Sequence, residues 1–190
     1  MSFKTGQKNQ YQESQIDLSD KIGATQQDSI VTITGKLGVI KKDFTKIPAR
    51  ITIIDKKILI KPNGTRKKDL AIMNTAKSIL NNMIVGVERG FTYKLKIIFA
   101  HFPITVRIKG KRVYVENFFG ERSSRISNII GEATKVNVAG DDVIVQGTNL
   151  EDVSQTAANI ESSTKLKGKD QRVFLDGIYI YSRLEGIEQS

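Results

Sequence analysis

"VTITGKLGVIKKDF" (Val31–Phe44) and "VRIKGKRVYVENF" (Val106–Phe118) spell one pattern twice. In each, a strand-like run reaches a Gly-Lys pair, and a second run leads on to a phenylalanine. Apolar residues recur at every second position, as in a strand with one buried face and one wet face. The correspondence continues downstream, where "ITIIDKKILI" (Ile51–Ile60) aligns with "VNVAGDDVIV" (Val136–Val145), apolar on apolar. A helical stretch then follows each. In the first, Arg66 to Ile84, the residues Ile72, Ala76, Ile79, Leu80 and Met83 form one apolar stripe, with Thr65 as the expected cap. In the second, Leu150 to Ser163, the inner face is Leu150, Val153, Ala157 and Ile160. A strand is expected to close each unit: "FTYKLKIIF" (Phe91–Phe99) and "RVFLDGIYI" (Arg172–Ile180).

Strands, one helix and a last strand, written twice in the same order, predict an α+β fold. It has two tandem similar domains, each a mainly antiparallel sheet with one packed helix. The expected divisions are an N-terminal arm over 1–25, repeats over 26–102 and 103–182, and a tail over 183–190. The arm, rich in Gln, Ser and Lys, is expected to be mobile or ordered by a partner.

The 190 residues carry 30 Lys+Arg against 20 Asp+Glu, a net charge of +10, and the sequence pI is about 9.7. That balance favours a polyanionic partner, nucleic acid ahead of an anionic membrane. Cysteine is absent and His101 is the only histidine, so one chain can form no disulfide, thiolate site, His–His metal pair or Cys–His dyad. No stretch of about 18 apolar residues occurs, so no membrane span is expected and the cytosol is the default. The Gly-Lys pairs lack the second glycine and the following Ser/Thr of a phosphate loop. No catalytic residue, cofactor, metal or small-molecule substrate is expected.

Residues 1–105 hold 18 basic and 8 acidic side chains, and residues 106–190 hold 12 of each. The second half nevertheless gathers its cations locally: Arg107, Lys109, Lys111 and Arg112, then Arg122 and Arg125, then Lys165, Lys167, Lys169 and Arg172. In "FTYKLKIIF", Lys94 and Lys96 point away from the face shared by Phe91, Tyr93, Leu95, Ile97 and Phe99. Together these twelve are the candidate RNA-contacting set, suited to tracking a phosphate backbone. Rival readings are an RNA hydrolase and an anionic-membrane module. The first lacks convergent titratable groups, and the second lacks a long helix with a basic face.

Three separated stretches carry a resemblance: "NMIVGVERGFTYKLKIIFAHFPI" (Asn82–Ile104), "VENFFGER" (Val115–Arg122) and "KDQRVFLDGIYI" (Lys169–Ile180). With them the chain resembles the large-subunit ribosomal protein family numbered six in bacteria and archaea and nine in the eukaryotic cytosolic ribosome. The "GFTYK…AHFPI" and "FLDGIY" stretches are similar to the eukaryotic form, and the likeness runs from about Val31 to Tyr181. It implies a structural constituent of the large subunit, bound to ribosomal RNA near the sarcin–ricin, translation-factor region. Neighbouring ribosomal proteins would touch it and translation factors would lie nearby. The implied location is cytoplasmic, with nucleolar passage during assembly if the source is eukaryotic. The alternative is a non-ribosomal RNA-binding protein. Carried over by motif, RNA contact falls on Lys165, Lys167, Lys169 and Arg172. A strand of Phe174, Leu175, Ile178 and Tyr179 would hold them, and Asp176-Gly177 would set backbone geometry. The turn Thr34–Gly38 departs from the family's proline- and arginine-bearing turn and is assigned no contact.

Overall fold

The computed structural model describes residues 13–166, 168, 170 and 172–187. Six strands precede the first helix: β1 (Ser14–Asp17), β2 (Gly23–Gln27), β3 (Ile30–Gly35), β4 (Gly38–Asp43), β5 (Ala49–Ile54) and β6 (Lys57–Pro62). Helix α1 (Lys67–Glu88) leads into β7 (Phe91–Ile98), β8 (Thr105–Lys109) and β9 (Arg112–Glu116). After a 3-10 turn (Phe118–Gly120) come β10 (Arg125–Asn128), β11 (Lys135–Ala139), β12 (Asp142–Gly147), α2 (Leu150–Ser163) and β13 (Gly177–Glu185). The sheets run β1-β6-β5, β2-β3-β4, β10-β9-β8 and β11-β12-β7-β13, and the described pairings are antiparallel. The α+β class and the two similar halves are therefore as the repeat predicted.

Tight turns build the hairpins. The two-residue loops after β2, β5, β8 and β11 place Asp28, Asp55, Gly110 and Gly140 at φ of 52°, 51°, 58° and 60°. A positive φ at the first turn position matches the twist of the flanking strands, and Gly and Asp tolerate it best. Inward residues then alternate along each strand: Val31, Ile33, Ile58 and Ile60 in the first half, and Val113, Val115, Val143 and Val145 in the second. Each half closes on its helix. Met73, Ala76, Leu80, Met83 and Val87 of α1 enter the first core, and Val153, Ala157 and Ile160 of α2 enter the second. Full burial of a side chain such as Leu80 stabilises the fold by roughly 1.5–3 kcal/mol.

Four expectations need correction. Strand β7, expected to close the first repeat, lies in the second sheet, with Leu95 paired to Val143 on one side and Ile180 on the other. Its place matches that of β1: β1 pairs with β6 as β7 pairs with β12. Each half thus opens with the strand that borders its later hairpin, and β13 is an addition to the second. Alternation reveals a strand but not its partner. Second, the described part of the arm is built into sheets: β1 pairs with β6 and β2 with β3, because Ile16, Leu18 and Ile22 are buried in the first core. Third, β13 starts at Gly177, so Arg172 to Asp176 form a turn and loop that leave Val173 and Leu175 exposed. Fourth, Arg66, not Thr65, caps α1, and its backbone N–H donates to the Asp69 carboxylate at 3.0 Å. Helix α1 also runs on to Glu88.

Backbone contact joins the halves. A Cβ on Gly86 would lie 2.1 Å from the carbonyl oxygen of Thr148, so α1 touches the approach to α2 where only glycine fits. Across the same joint, Lys42 pairs with Glu151 at 2.5 Å.

Candidate nucleic-acid interface

The candidate cations divide among three places. The first is the β8–β9 hairpin. Arg107 lies 3.3 Å from Glu116, Lys109 sits 5.7 Å from the centre of the Tyr114 ring, and Lys111 pairs with Glu132. Arg112 starts β9 opposite Lys109 and has no ion pair among the described residues. The second place is the outer face of the four-stranded sheet, away from α2. There Lys94 stands opposite Ile144 and Ser182, and Lys96 pairs with Asp142 at 3.3 Å.

The third place is the corner where α2 ends. Asn149 caps α2 by accepting the Glu151 N–H at 3.2 Å, and Glu151 and Asp152 suit the positive end of the helix dipole. At the other end, Thr164 is buried. Its hydroxyl donates to the Glu161 carbonyl at 3.0 Å and accepts the Ile178 N–H at 3.0 Å. From this anchored point the basic segment departs. Lys165 is exposed, and Arg172 forms a two-point pair with Asp170, at 3.1 and 3.0 Å. That pair holds the Asp170 carboxyl below the usual carboxylate range, chiefly through the Arg172 hydrogen bonds, and raises the Arg172 guanidinium. Lys167 and Lys169 lie outside the described residues.

Arg125 does something other than wait for a phosphate. Its guanidinium grips both Glu121 carboxylate oxygens, at 2.9 and 2.7 Å, and donates to the Ser163 carbonyl at 3.0 Å. It also stacks 4.2 Å above the Phe118 ring. The planar fork of donors is spent within the protein, so Arg125 ties the 3-10 turn to the end of α2. The Arg125 hydrogen bonds keep Glu121 ionised below its ordinary range. Arg122, three residues earlier, is exposed and unpaired among the described residues.

Sequence reasoning missed the aromatic part of this corner. Phe119 adopts φ 52°, ψ 28°, a left-handed conformation that costs a bulky residue roughly 1–3 kcal/mol. Asn117 before it and Gly120 after it are left-handed too, at φ of 59° and 72°. The turn buries Phe118 and sets Phe119 edge-on to Phe174, with ring centres 6.0 Å apart. The signal was present in "NFFG", a tight-turn composition around two aromatics.

The β8–β9 tip and the α2 corner lie at opposite ends of β10, since Asn128 pairs with Arg112 and Arg125 with Val115. At about 3.3 Å per residue the two clusters are roughly 10 Å apart. A family model described as Ribosomal protein L6 matches residues 102–177. The large ribosomal subunit protein uL6 of Methanosphaera stadtmanae is 45% identical over 88% of this chain and 91% of its own length. The chain belongs to the uL6 family. The family's member from Staphylothermus marinus is also 45% identical, over 88% of this chain and 92% of its own, and that from Aeropyrum pernix is 42% identical over 80% and 84%.

Proposed function

We propose that this chain is a structural constituent of the large ribosomal subunit that binds ribosomal RNA and works in cytoplasmic translation. The observation that carries this reading is the 45% identity, along nearly the whole chain, to a protein named for that subunit. The charge of +10 supports it, as do the separate cationic clusters of the second half. A-form RNA offers a major groove too narrow for side chains, so recognition rests on shape, phosphates and 2′-hydroxyls. Clusters roughly 10 Å apart on a stiff sheet suit successive backbone segments better than one compact site.

The α2 corner is the proposed principal contact, with Lys165, Lys167, Lys169, Arg172 and Arg122 on phosphates and Arg125 positioning them. Lys109, Lys111 and Arg112 at the hairpin tip, with Arg107, form a second contact. The RNA target is the sarcin–ricin region, which sets translation factors and other ribosomal proteins beside the chain. The test is crosslinking in cells, then sequencing of the attached RNA and sedimentation of the chain through a sucrose gradient. The expected result is reads from large-subunit RNA near that region and co-sedimentation with the large subunit. Reads dominated by messenger RNA, with the chain outside ribosomal fractions, would establish the non-ribosomal alternative.

A further inference from the structure

Beside the basic segment lies a cavity of about 280 Å³ that the phosphate-contact reading leaves unused. Its lining includes Glu161, Lys165, Leu166, Phe174, Asp176 and Tyr179. The volume is below the roughly 300–1,000 Å³ of sites for drug-sized ligands and has room for one nucleobase. Phe174, Tyr179 and Leu166 supply apolar lining, Lys165 is exposed, and the strained Phe119 meets the Phe174 ring edge-on at 6.0 Å between ring centres. Left-handed backbone at a bulky residue persists only where the surroundings enforce it, and such places cluster at ligand clamps.

The polar groups narrow the ligand. Glu161 Oε1 accepts the Ile180 N–H at 2.9 Å, and Asp176 Oδ1 accepts the Ala100 N–H at 2.5 Å. The other oxygen of each carboxylate has no partner among the described residues, and ionised carboxylates only accept hydrogen bonds. A base edge that meets either carboxylate must therefore present donors. Guanine offers adjacent N1–H and N2–H donors to one carboxylate, whereas the uracil edge has a single N–H between two acceptors.

We propose that this cavity receives one unstacked guanine of the bound RNA, stacked on Tyr179 and Phe174, with a carboxylate on its donor edge and Lys165 on its phosphate. The proposal rests on the RNA-binding reading and adds a base preference to it. The test uses the full chain at low salt and two labelled RNA pentamers, all uridine or with one central guanosine. Anisotropy is expected to show about tenfold tighter binding of the guanosine RNA, the scale of one stacked base. Glu161→Gln keeps an acceptor for Ile180 while adding a donor, and Phe174→Ala removes the stacking face. Each is expected to abolish the preference, and Glu161→Gln to do so while changing pentauridine binding less than about twofold. Equal binding of the two RNAs by the native chain, or a preference that survives both substitutions, would overturn the guanine site and leave the RNA-binding reading standing. Failure of the native chain to bind either RNA would count against both.

Discussion

A carboxylate oxygen of Glu161 accepts the backbone N–H of Ile180 at 2.9 Å. Thr164 does the same for Ile178, at 3.0 Å. Both N–H groups lie on the edge of β13 that no strand among the described residues covers, because β13 ends its sheet there. An open edge is a template for another chain, and here two side chains from the end of α2 occupy two of its donors. Thr164→Val would leave the Ile178 N–H buried without a partner, a loss of about 1–3 kcal/mol. Combined with Glu161→Ala it should also produce concentration-dependent self-association. Urea unfolding and sedimentation velocity check the two effects.

The glycines at the joint make a sharper case. Gly90 has φ 77°, and a Cβ there would lie 2.5 Å from Ile187. Gly86 faces the Thr148 carbonyl oxygen at 2.1 Å from the same hypothetical atom. Gly86→Val should cost at least about 2 kcal/mol and force α1 away from the approach to α2. Gly90→Ala should cost about 1–2 kcal/mol from the left-handed backbone, with further loss from the clash. Equilibrium urea unfolding measures both, and an unchanged midpoint for Gly86→Val would contradict the close backbone approach.

Acid should weaken the Arg125 anchor. The Arg125 hydrogen bonds lower the folded-state pKa of Glu121 below its unfolded value. The resulting stability is therefore complete above the ordinary glutamate range and is lost as pH falls through the lowered folded value. Glu121→Gln should be less stable than the native chain at neutral pH, by under about 1 kcal/mol for so exposed a pair. The gap should close in strong acid. Unfolding midpoints compared from neutral pH downward test the sign, and a gap that widens toward acid would reverse it.

Salt dependence reports the interface directly. If Lys165, Lys167, Lys169 and Arg172 each displace a counterion, changing all four to alanine should reduce the slope of log K against log[salt] by about 3. Arg125→Lys should instead weaken binding with little change in slope, because its effect is on the position of the segment. A fall in slope of a full unit for Arg125→Lys would make it a phosphate contact after all.

Much of this was visible in the sequence because local chemistry decides it. The Gly-Lys pairs marked the break between strand runs that pair as β3–β4 and β8–β9, and α2 was legible from Leu150 to Ser163 because Val153, Ala157 and Ile160 keep helical spacing. Pairing was not legible, since the alternation of "FTYKLKIIF" reads the same whichever sheet receives it. The N-terminal strands were hidden by polar composition, with Ile16, Leu18 and Ile22 too widely scattered to announce a core. At the site, the cations were easy to find, but only the fold reveals that the guanidinium of Arg125 is already engaged by Glu121 and the end of α2. The Phe119–Phe174 contact joins residues too far apart in sequence for any local pattern to suggest it.

The central position of β7 governs how the protein is made. Leu95 emerges from synthesis directly after α1, whereas Val143 and Ile180, its neighbours on either side, are translated much later. Until β12 and β13 have been made, β7 has neither of the strands that flank it. That interval is when the nascent chain is most open to mispairing, and it ends only when β13 arrives.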